Sequence, residues 1–184
     1  LPALPGAPKY DGDREAIVET AERDARRLAA GGVDAIMVEN FGDAPFYPDD
    51  VPKHVVASMT RATRAVVETA DVPVGVNVLR NDADAALSVA AAAGGRFVRV
   101  NIHTGARVTD QGVIDGTAHE TMRLRERLDA DVAVLADHDV KHSAPIAARG
   151  FSAESVADGV ERGLADAVVV SGSGTGHETE RSDL

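Results

Sequence analysis

The chain has 184 residues, the length of about one domain. It carries 30 Asp and Glu residues against 19 Lys and Arg, a formal net charge of −11, which argues against a nucleic-acid-binding protein and against adhesion to an anionic membrane surface. Because it has no cysteine, a disulfide scaffold, a thiolate zinc site and a cysteine nucleophile are excluded. No apolar run is long enough to cross a bilayer and the first residues lack the basic region of a signal peptide, so we expect a soluble, cytoplasmic protein.

The acidic composition is itself informative. Lysine occurs only at Lys9, Lys53 and Lys141, aromatic residues make up 3% of the chain, and Asp outnumbers Glu. This composition is typical of salt-adapted, halophilic proteins, whose dense carboxylate surface stays hydrated. We therefore interpret most of the carboxylates as part of the solvated surface.

The hydrophobic pattern alternates between helical and strand periods along the chain. The predicted elements, in chain order, are a helix over 13–30, a strand over 35–38, a helix over 52–69, a strand over 74–79, a helix over 82–93, a strand over 97–102, a helix over 117–128, a strand over 132–136, a helix over 152–162 and a strand over 167–170. Paired glycines end the first and third helices, and Ser152 is a plausible N-cap for the last. Strict alternation with short apolar strands predicts an α/β protein with parallel strands covered by helices.

Two architectures fit this order, a doubly wound open sheet and part of a (β/α)8 barrel. Polar residues cluster just past the strand ends and at alternate positions within strands, which favours the TIM barrel, because its inward side chains reach the C-terminal mouth. A whole barrel needs roughly 250 residues. We therefore expect residues 1–184 to form a single partial barrel domain with about five of eight strands, one missing before the chain and two after it, and with a further helix beginning at Glu178.

The first candidate site follows the first strand. Glu39 ends that strand, Asn40 follows it, and three of the six aromatic residues of the chain lie within 39–47. A carboxylate at a strand end beside an aromatic loop is typical of a ligand pocket. The alternative is a packed loop in which Asp43 makes turn hydrogen bonds.

The third strand predicts a polar face. Alternation places Arg99, Asn101 and His103 together, opposite the aliphatic residues that must face the helices. A buried arginine needs an ion partner, and Glu39 on a nearby strand is the expected one. His103 is a candidate general acid or base, since its ordinary pKa lies near neutrality.

Two further segments offer binding residues. Asn77 ends a strand facing inward, and Arg80 in the following loop is suited to hold a phosphate or carboxylate, whereas Asp82 is better explained as a helix cap. The polar segment 103–112, which contains Asp110, is long for a connection and is interpreted as an active-site lid or binding loop, with a disordered hydrophilic loop as the alternative.

The last candidates follow the fourth and fifth strands. Asp137 is a candidate base, and Lys141 is either a phosphate contact or an amine whose pKa is lowered by burial. Asp137 and His142 are alternatively ligands of a divalent metal, although their spacing matches no standard metal signature. The Gly-rich loop with Gly172, Gly174 and Thr175 would expose backbone N–H groups to a phosphate.

Taken together, these segments resemble the BtpA/SgcQ family. The resemblance is carried, in family order, by LPALPG (1–6), VENFGD (38–43), NVLRND (77–82), RVNIHTG (99–105), TDQG (109–112), DVKH (139–142) and SGSGTG (171–176). It implies a TIM barrel of the ribulose-phosphate-binding type and a family named for photosystem I biogenesis in cyanobacteria, where members associate peripherally with thylakoids. Relatives in organisms without photosystems, one of them in a sugar-utilisation gene cluster, imply a metabolic role. Family members continue through two more strands, where barrels of this type usually bind phosphate.

The favoured function is an enzyme, an isomerase, lyase or hydrolase, acting on a small phosphorylated sugar or nucleotide-like metabolite. Glu39, His103, Asp137 and Lys141 are its catalytic candidates, with Arg99 as an anion stabiliser. The alternative is a non-catalytic assembly factor for membrane protein complexes, which would expose an apolar patch. The substrate, the need for a metal and the possibility of a homo-oligomer stay open at this point.

Overall fold

The structure is a computed structural model that describes residues 1–146 and 156–171. Its α-helices are α1 (Arg14–Ala30), α2 (Lys53–Thr69), α3 (Ala83–Ala93) and α4 (Ala118–Arg127). Its strands are β1 (Ile36–Glu39), β2 (Val74–Asn77), β3 (Phe97–Val100), β4 (Ala106–Thr109), β5 (Gly112–Asp115), β6 (Ala133–His138), β7 (Ser143–Pro145) and β8 (Ala167–Val170). A 3₁₀ turn spans Phe41–Asp43 and a π-helical turn spans Asp158–Arg162.

The helix boundaries follow from local signals. The Asp13 carboxylate accepts hydrogen bonds from the backbone N–H groups of Glu15 and Ala16 and so begins α1. The Asp82 carboxylate caps α3 in the same way, and Gly94 ends that helix with a left-handed φ of 86°. The cap at Asp82 and the glycine end of α3 are predictions of the sequence that the structure confirms.

The main sheet has five parallel strands in the order β1-β2-β3-β6-β8. These are the five predicted strands, and each lies beside the one that precedes it in the chain. A doubly wound sheet reverses its strand order at a switch point. No such reversal occurs between Ile36 and Val170.

Two of the predicted strands are shorter than expected. The sequence predicts strands through Leu79 and Ile102, but the ladders end at Asn77 and Val100. The physical reason is that side chains replace the backbone partners beyond these points. The Asn40 side chain bonds both the N–H and the C=O of Leu79, and the Asn81 side chain does the same to Ile102.

The segment 103–112 forms ordered structure, so the alternative of a disordered loop is wrong. β4 and β5 form an antiparallel hairpin, and β7 pairs with β4 on the other side. β-branched residues at 108, 109, 113 and 114 favour strands, and Gly112, with φ of 106°, supports the turn. Ile114 of this small sheet packs in a second apolar cluster with Ile102 and Val140.

The main core lies between the sheet and its helices. Val76, Val98 and Val134 on three adjacent strands are fully buried there, beneath the alanine-rich helix α3. Side chains at alternate strand positions, such as Arg99, therefore leave the helix-covered face. This alternation is what makes a polar face available for a site.

The remaining predictions fall partly outside the described residues. Of the helix predicted over 152–162, residues 156–162 are described and are helical, whereas its expected cap Ser152 is outside. The helix expected from Glu178 is outside as well. In the described part of the chain, no helix is both long and apolar enough to span a bilayer.

Candidate functional site

One cavity collects seven of the eleven predicted site residues that the structure describes. Its volume is about 680 Å³, within the range of small-molecule pockets. The predicted residues that line it are Glu39, Arg80, Arg99, Asn101, Asp110, Lys141 and His142. They come from five separate segments and meet at the carboxyl ends of the strands.

The main-sheet strands and the small sheet position these side chains. Glu39 is the last residue of β1, and Arg99 lies in β3. Lys141 and His142 lie between β6 and β7, and Asp110 lies at the turn between β4 and β5. The small antiparallel sheet therefore brings its hairpin turn and the loop before β7 to the same cavity.

Arg99, which lines the cavity, forms an ion pair with Asp137. Arg99 donates two hydrogen bonds to the Asp137 carboxylate, at 2.7 and 2.8 Å, and Asn101 donates a third at 2.8 Å. The Asp137 side chain is only 1% exposed. The hydrogen bonds that Arg99 donates to Asp137 raise the pKa of Arg99, against the opposing effect of burial.

The predicted partner of Arg99 is therefore wrong. Glu39 was expected, but the residue that pairs with Arg99 is Asp137. The reason is strand adjacency, because β6 pairs directly with β3, whereas β1 is separated from β3 by β2. Glu39 forms no ion pair with Arg99, but the positive charge of Arg99 is near enough to lower the pKa of the Glu39 carboxyl.

Glu39 consequently keeps its carboxylate available. Within residues 1–146 and 156–171, no group donates a hydrogen bond to it. Burial raises the pKa of Glu39, and the nearby positive charge of Arg99 only partly offsets this. A buried carboxyl with a raised pKa and a free face toward a cavity is suited to proton transfer.

Cationic groups outnumber carboxylates on the cavity wall. Arg80 is buried and donates to the Lys141 carbonyl at 2.7 Å, and its Nε atom has no hydrogen-bond partner among the described residues. Lys9 lines the same cavity and was missed by the sequence analysis. The rarity of lysine in this chain was the signal that could have identified Lys9, since two of the three lysines line this cavity. With Arg99, four cations face Glu39 and Asp110 in a chain of net charge −11.

Two predicted binding residues hold the backbone instead of lining this cavity. Asn40 is buried and accepts from the Leu79 N–H at 2.7 Å while donating to Asp43 at 3.2 Å. Asn77 donates to the Arg99 carbonyl at 2.8 Å and to the Asn101 side chain at 3.2 Å. Asp43 in turn accepts from the Leu4 N–H, the turn-type role considered for it.

His103 does not share the cavity of Glu39. It lines a neighbouring cavity of about 340 Å³, which Asp137 and Asn101 also line. Its Nε2 lies 2.8 Å from the Gly163 carbonyl, and because a carbonyl only accepts, Nε2 carries the proton. Burial lowers the pKa of His103, and no group in the described part of the chain forms a hydrogen bond with its Nδ1. The strand ends at Val100, and His103 lines a different cavity from Arg99, while Asn101 lines both.

The remaining predictions concern metal and phosphate ligands. The described residues contain no group of three or more His, Cys, Asp or Glu that could hold a metal ion. Both carboxylate oxygens of Asp137, one of the two metal-ligand candidates, accept hydrogen bonds from Arg99. Asp137 lines the 340 Å³ cavity, whereas His142, the other candidate, lines the 680 Å³ cavity. Gly172, Gly174 and Thr175 lie outside the described residues.

The aromatic loop after β1 contributes to the same cavity. Phe41 and Phe46 both line it, with ring centroids 6.5 Å apart and planes tilted by 49°. Leu79 and Val140 add apolar surface that the sequence analysis did not assign to the site. The cavity therefore combines cations, one proton-transfer candidate and aromatic surface.

This fold and site define a parallel α/β protein with a cavity, lined by more cations than carboxylates, at the carboxyl ends of its strands. The chain belongs to the BtpA family, whose sequence model matches residues 1–184. This confirms the resemblance carried by the seven sequence segments.

Individual relatives agree with that assignment. The chain is 47% identical over 181 residues to the photosystem I biogenesis protein BtpA of Synechocystis. This alignment covers 98% of this chain and 63% of the Synechocystis protein. It is 48% identical over 184 residues to an uncharacterized protein of Thermococcus kodakarensis, covering 100% of this chain and 69% of that protein. An uncharacterized protein of Caenorhabditis elegans is 32% identical over 190 residues, covering 100% of this chain and 69% of that protein. The chain thus spans about two thirds of the length of these relatives.

Proposed function

We propose that the chain forms the ligand-binding part of an enzyme that acts on a small phosphorylated molecule in the 680 Å³ cavity. The observation that carries this proposal is the convergence of Lys9, Arg80, Arg99 and Lys141 on one cavity of a chain with net charge −11. Such a concentration of cations against the overall charge favours an anionic ligand.

The residues divide into two roles. Arg80, Lys9 and Lys141 bind the phosphate, and the Gly-rich segment of Gly172, Gly174 and Thr175 offers further backbone donors by its sequence. Arg99 stabilises negative charge that develops on the reacting part of the ligand. Asp137 and Asn101 are positioning residues, since their hydrogen bonds fix the Arg99 guanidinium.

Glu39 transfers the proton. Burial raises the pKa of Glu39 toward the working pH of an enzyme. A carboxyl whose pKa lies near that pH can both accept and donate a proton. This role fits an isomerase, a lyase or a hydrolase. No step is assigned to His103, which lines the neighbouring cavity.

We also propose that the five parallel strands belong to a (β/α)8 barrel. A parallel sheet whose spatial order follows chain order supports the wall of a (β/α)8 barrel, whose functional residues lie at the C-terminal ends of the strands. The five strands are then part of that wall. The site residues at the ends of β1, β3 and β6 would face its mouth.

The test is a binding measurement with inorganic phosphate and ribose 5-phosphate by isothermal titration calorimetry. Lys141→Gln should weaken binding of ribose 5-phosphate by about tenfold, the worth of one charge-assisted hydrogen bond. Lys53→Gln is the matched control, because Lys53 begins α2 and is exposed outside the cavity. Uncharged ribose binding as tightly as ribose 5-phosphate, or equal losses in the two lysine variants, would contradict the proposal.

A second candidate is the assembly of membrane protein complexes, the role in the name of the Synechocystis relative. The observation that favours it is an apolar row on the small sheet, where Val108 lies directly opposite Val113 and Ala144 and all three are exposed. If this row is the binding surface, Val113→Asp should abolish capture of a solubilised membrane complex. Lys141→Gln should leave that capture unchanged.

A further inference from the structure

We infer that the ligand of the 680 Å³ cavity is a nucleoside phosphate whose planar base lies against Phe41 and Phe46. This inference rests on the proposed function, since it takes the phosphate-binding cations as given. It adds a substrate class, because a phosphorylated sugar alone has no planar ring.

The first support is the placement of aromatic residues. The chain has only six, and two of them line the cavity that also holds the cations. Phe41 is 57% exposed although its neighbour Phe46 packs against it. A phenylalanine gains about 1.5–3 kcal/mol on full burial, so an exposed ring on a cavity wall is a surface that a ligand stabilises by covering it.

The second support is the chemistry of such a surface. Every nucleobase has a flat face, and stacking a base on an aromatic side chain is worth about 1–3 kcal/mol. Sugar hydroxyls gain more from polar partners than from two phenylalanine rings. The cavity has both kinds of surface, with Leu79 and Val140 extending the apolar part.

The third support is the separation of the two ends of the cavity along the sheet. The aromatic loop follows β1, whereas Lys141 follows β6, and Arg80 reaches across to bond the Lys141 carbonyl at 2.7 Å. β1 and β6 are three strand spacings apart, or about 14 Å. A nucleoside phosphate, which carries a base at the far end of its sugar, fits a cavity lined by the aromatic loop at one end and by Lys141 at the other.

The residues between these ends fit the middle of a nucleotide. Arg99 and Asn101 come from β3 and its end, and β3 lies between β1 and β6 in the sheet. They offer hydrogen-bond donors at the place where the ribose hydroxyls would lie. The nucleotide would thus extend along the carboxyl edge from the aromatic loop to the cationic loop.

The experiment compares AMP, GMP, CMP and UMP with ribose 5-phosphate on the full chain by isothermal titration calorimetry. At least one nucleotide should bind about tenfold tighter than ribose 5-phosphate, in line with the worth of one stacked base. Phe41→Leu, which keeps apolar bulk but removes the flat ring, should cancel that gain, so that the variant binds the nucleotide no tighter than it binds ribose 5-phosphate. Tyr47→Leu is the matched control, since Tyr47 is 52% exposed in the same loop but does not line this cavity.

The outcomes distinguish failure of the nucleoside phosphate inference from failure of the proposed phosphate-binding cavity. Binding of ribose 5-phosphate as tight as that of all four nucleotides, or a nucleotide preference that survives Phe41→Leu together with Phe46→Leu, overturns the nucleoside phosphate and keeps the phosphate site. Loss of the preference in Tyr47→Leu as well as in Phe41→Leu overturns the assignment of the base to this cavity. Absence of binding by every phosphorylated probe overturns both. Circular dichroism of each variant identifies any loss that arises from unfolding.

Discussion

Asp137 shows how one residue serves both the fold and the site. Its carboxylate is enclosed by Arg99 and Asn101 and is almost fully shielded from water. A buried ion pair is not a large source of stability, but the removal of one partner leaves the other charge buried and unpaired. The guanidinium of Arg99 therefore depends on Asp137 for both its counter-ion and its orientation.

Asp137→Ala should lower the free energy of unfolding by about 3 kcal/mol, because it leaves Arg99 buried without a counter-ion. Urea unfolding followed by circular dichroism measures this loss. Asp131→Ala is the control, since Asp131 pairs with Arg96 while 94% exposed, and it should cost about 0.5 kcal/mol or less. Equal costs for the two variants would show that the Arg99 pair is not desolvated.

Glu39 makes stability depend on pH in a direction opposite to that of most carboxylates. Burial raises its pKa in the folded state, so the folded protein holds this proton more tightly than the unfolded chain. Below the unfolded pKa of about 4.3, Glu39 is neutral in both states and costs nothing. As pH rises, the unfolded chain ionises first and the free energy of unfolding falls, until pH passes the folded pKa.

Glu39→Gln should therefore become more stable relative to the parent as pH rises from about 4.3 toward neutrality. The measurement is the difference in urea midpoints between the two proteins across this pH range. Glu19→Gln, an exposed position on α1, should show no such trend. A difference that stays flat with pH, or that changes in the opposite direction, would contradict a raised pKa for Glu39.

At the scale of elements, asparagine side chains continue the sheet beyond its strands. Asn40 pairs with the backbone of Leu79, and Asn81 pairs with the backbone of Ile102 at 2.7 and 2.9 Å. Each amide supplies one donor and one acceptor, as a strand residue would. These bridges hold the segments after β2 and β3, and Arg80 and Asn101 extend from those segments into the cavity.

Asn81→Ala should remove both bonds to Ile102 and lower the free energy of unfolding by about 2 kcal/mol, because it leaves buried backbone groups unpaired. Native-state hydrogen exchange gives the sharper readout, with faster exchange at the Ile102 amide. The Leu79 amide, held by Asn40, is the internal control and should keep its protection. Unchanged exchange at Ile102 would show that the bridge does not hold this segment.

At the scale of the whole molecule, charge is distributed unevenly. The chain has a net charge of −11, yet four cations surround one cavity. The carboxylates elsewhere repel one another, and this repulsion destabilises the folded state at low ionic strength. Salt screens such repulsion, since the Debye length falls from about 10 Å at 0.1 M to about 3 Å at 1 M.

The melting temperature should therefore rise between about 0.1 M and about 1 M KCl, as screening removes net repulsion. Differential scanning fluorimetry measures this rise. In Glu19→Gln combined with Asp49→Asn, which removes two exposed charges, the rise should be smaller. A rise of equal size in this variant would point to a general salt effect instead of charge screening.

Much of the fold follows from the sequence alone, because the signals are local. Helix α1 begins at its Asp13 cap, α3 runs from its Asp82 cap to Gly94, and the five apolar strands alternate with helices. Each signal acts within a few residues of the backbone it directs. The grouping of Glu39, Arg80, Arg99 and Lys141 was also predictable, since the ends of parallel strands meet at one edge of a sheet, whereas the antiparallel hairpin brings Asp110 to them.

Only the tertiary structure decides which groups touch. It pairs Arg99 with Asp137 because β6 lies beside β3, and it turns His103 toward Gly163 because the strand has already ended. It also brings Lys9 to the cavity from a segment that lies in no helix or strand. These contacts join residues far apart in the chain, and no local pattern encodes the distance between two such side chains.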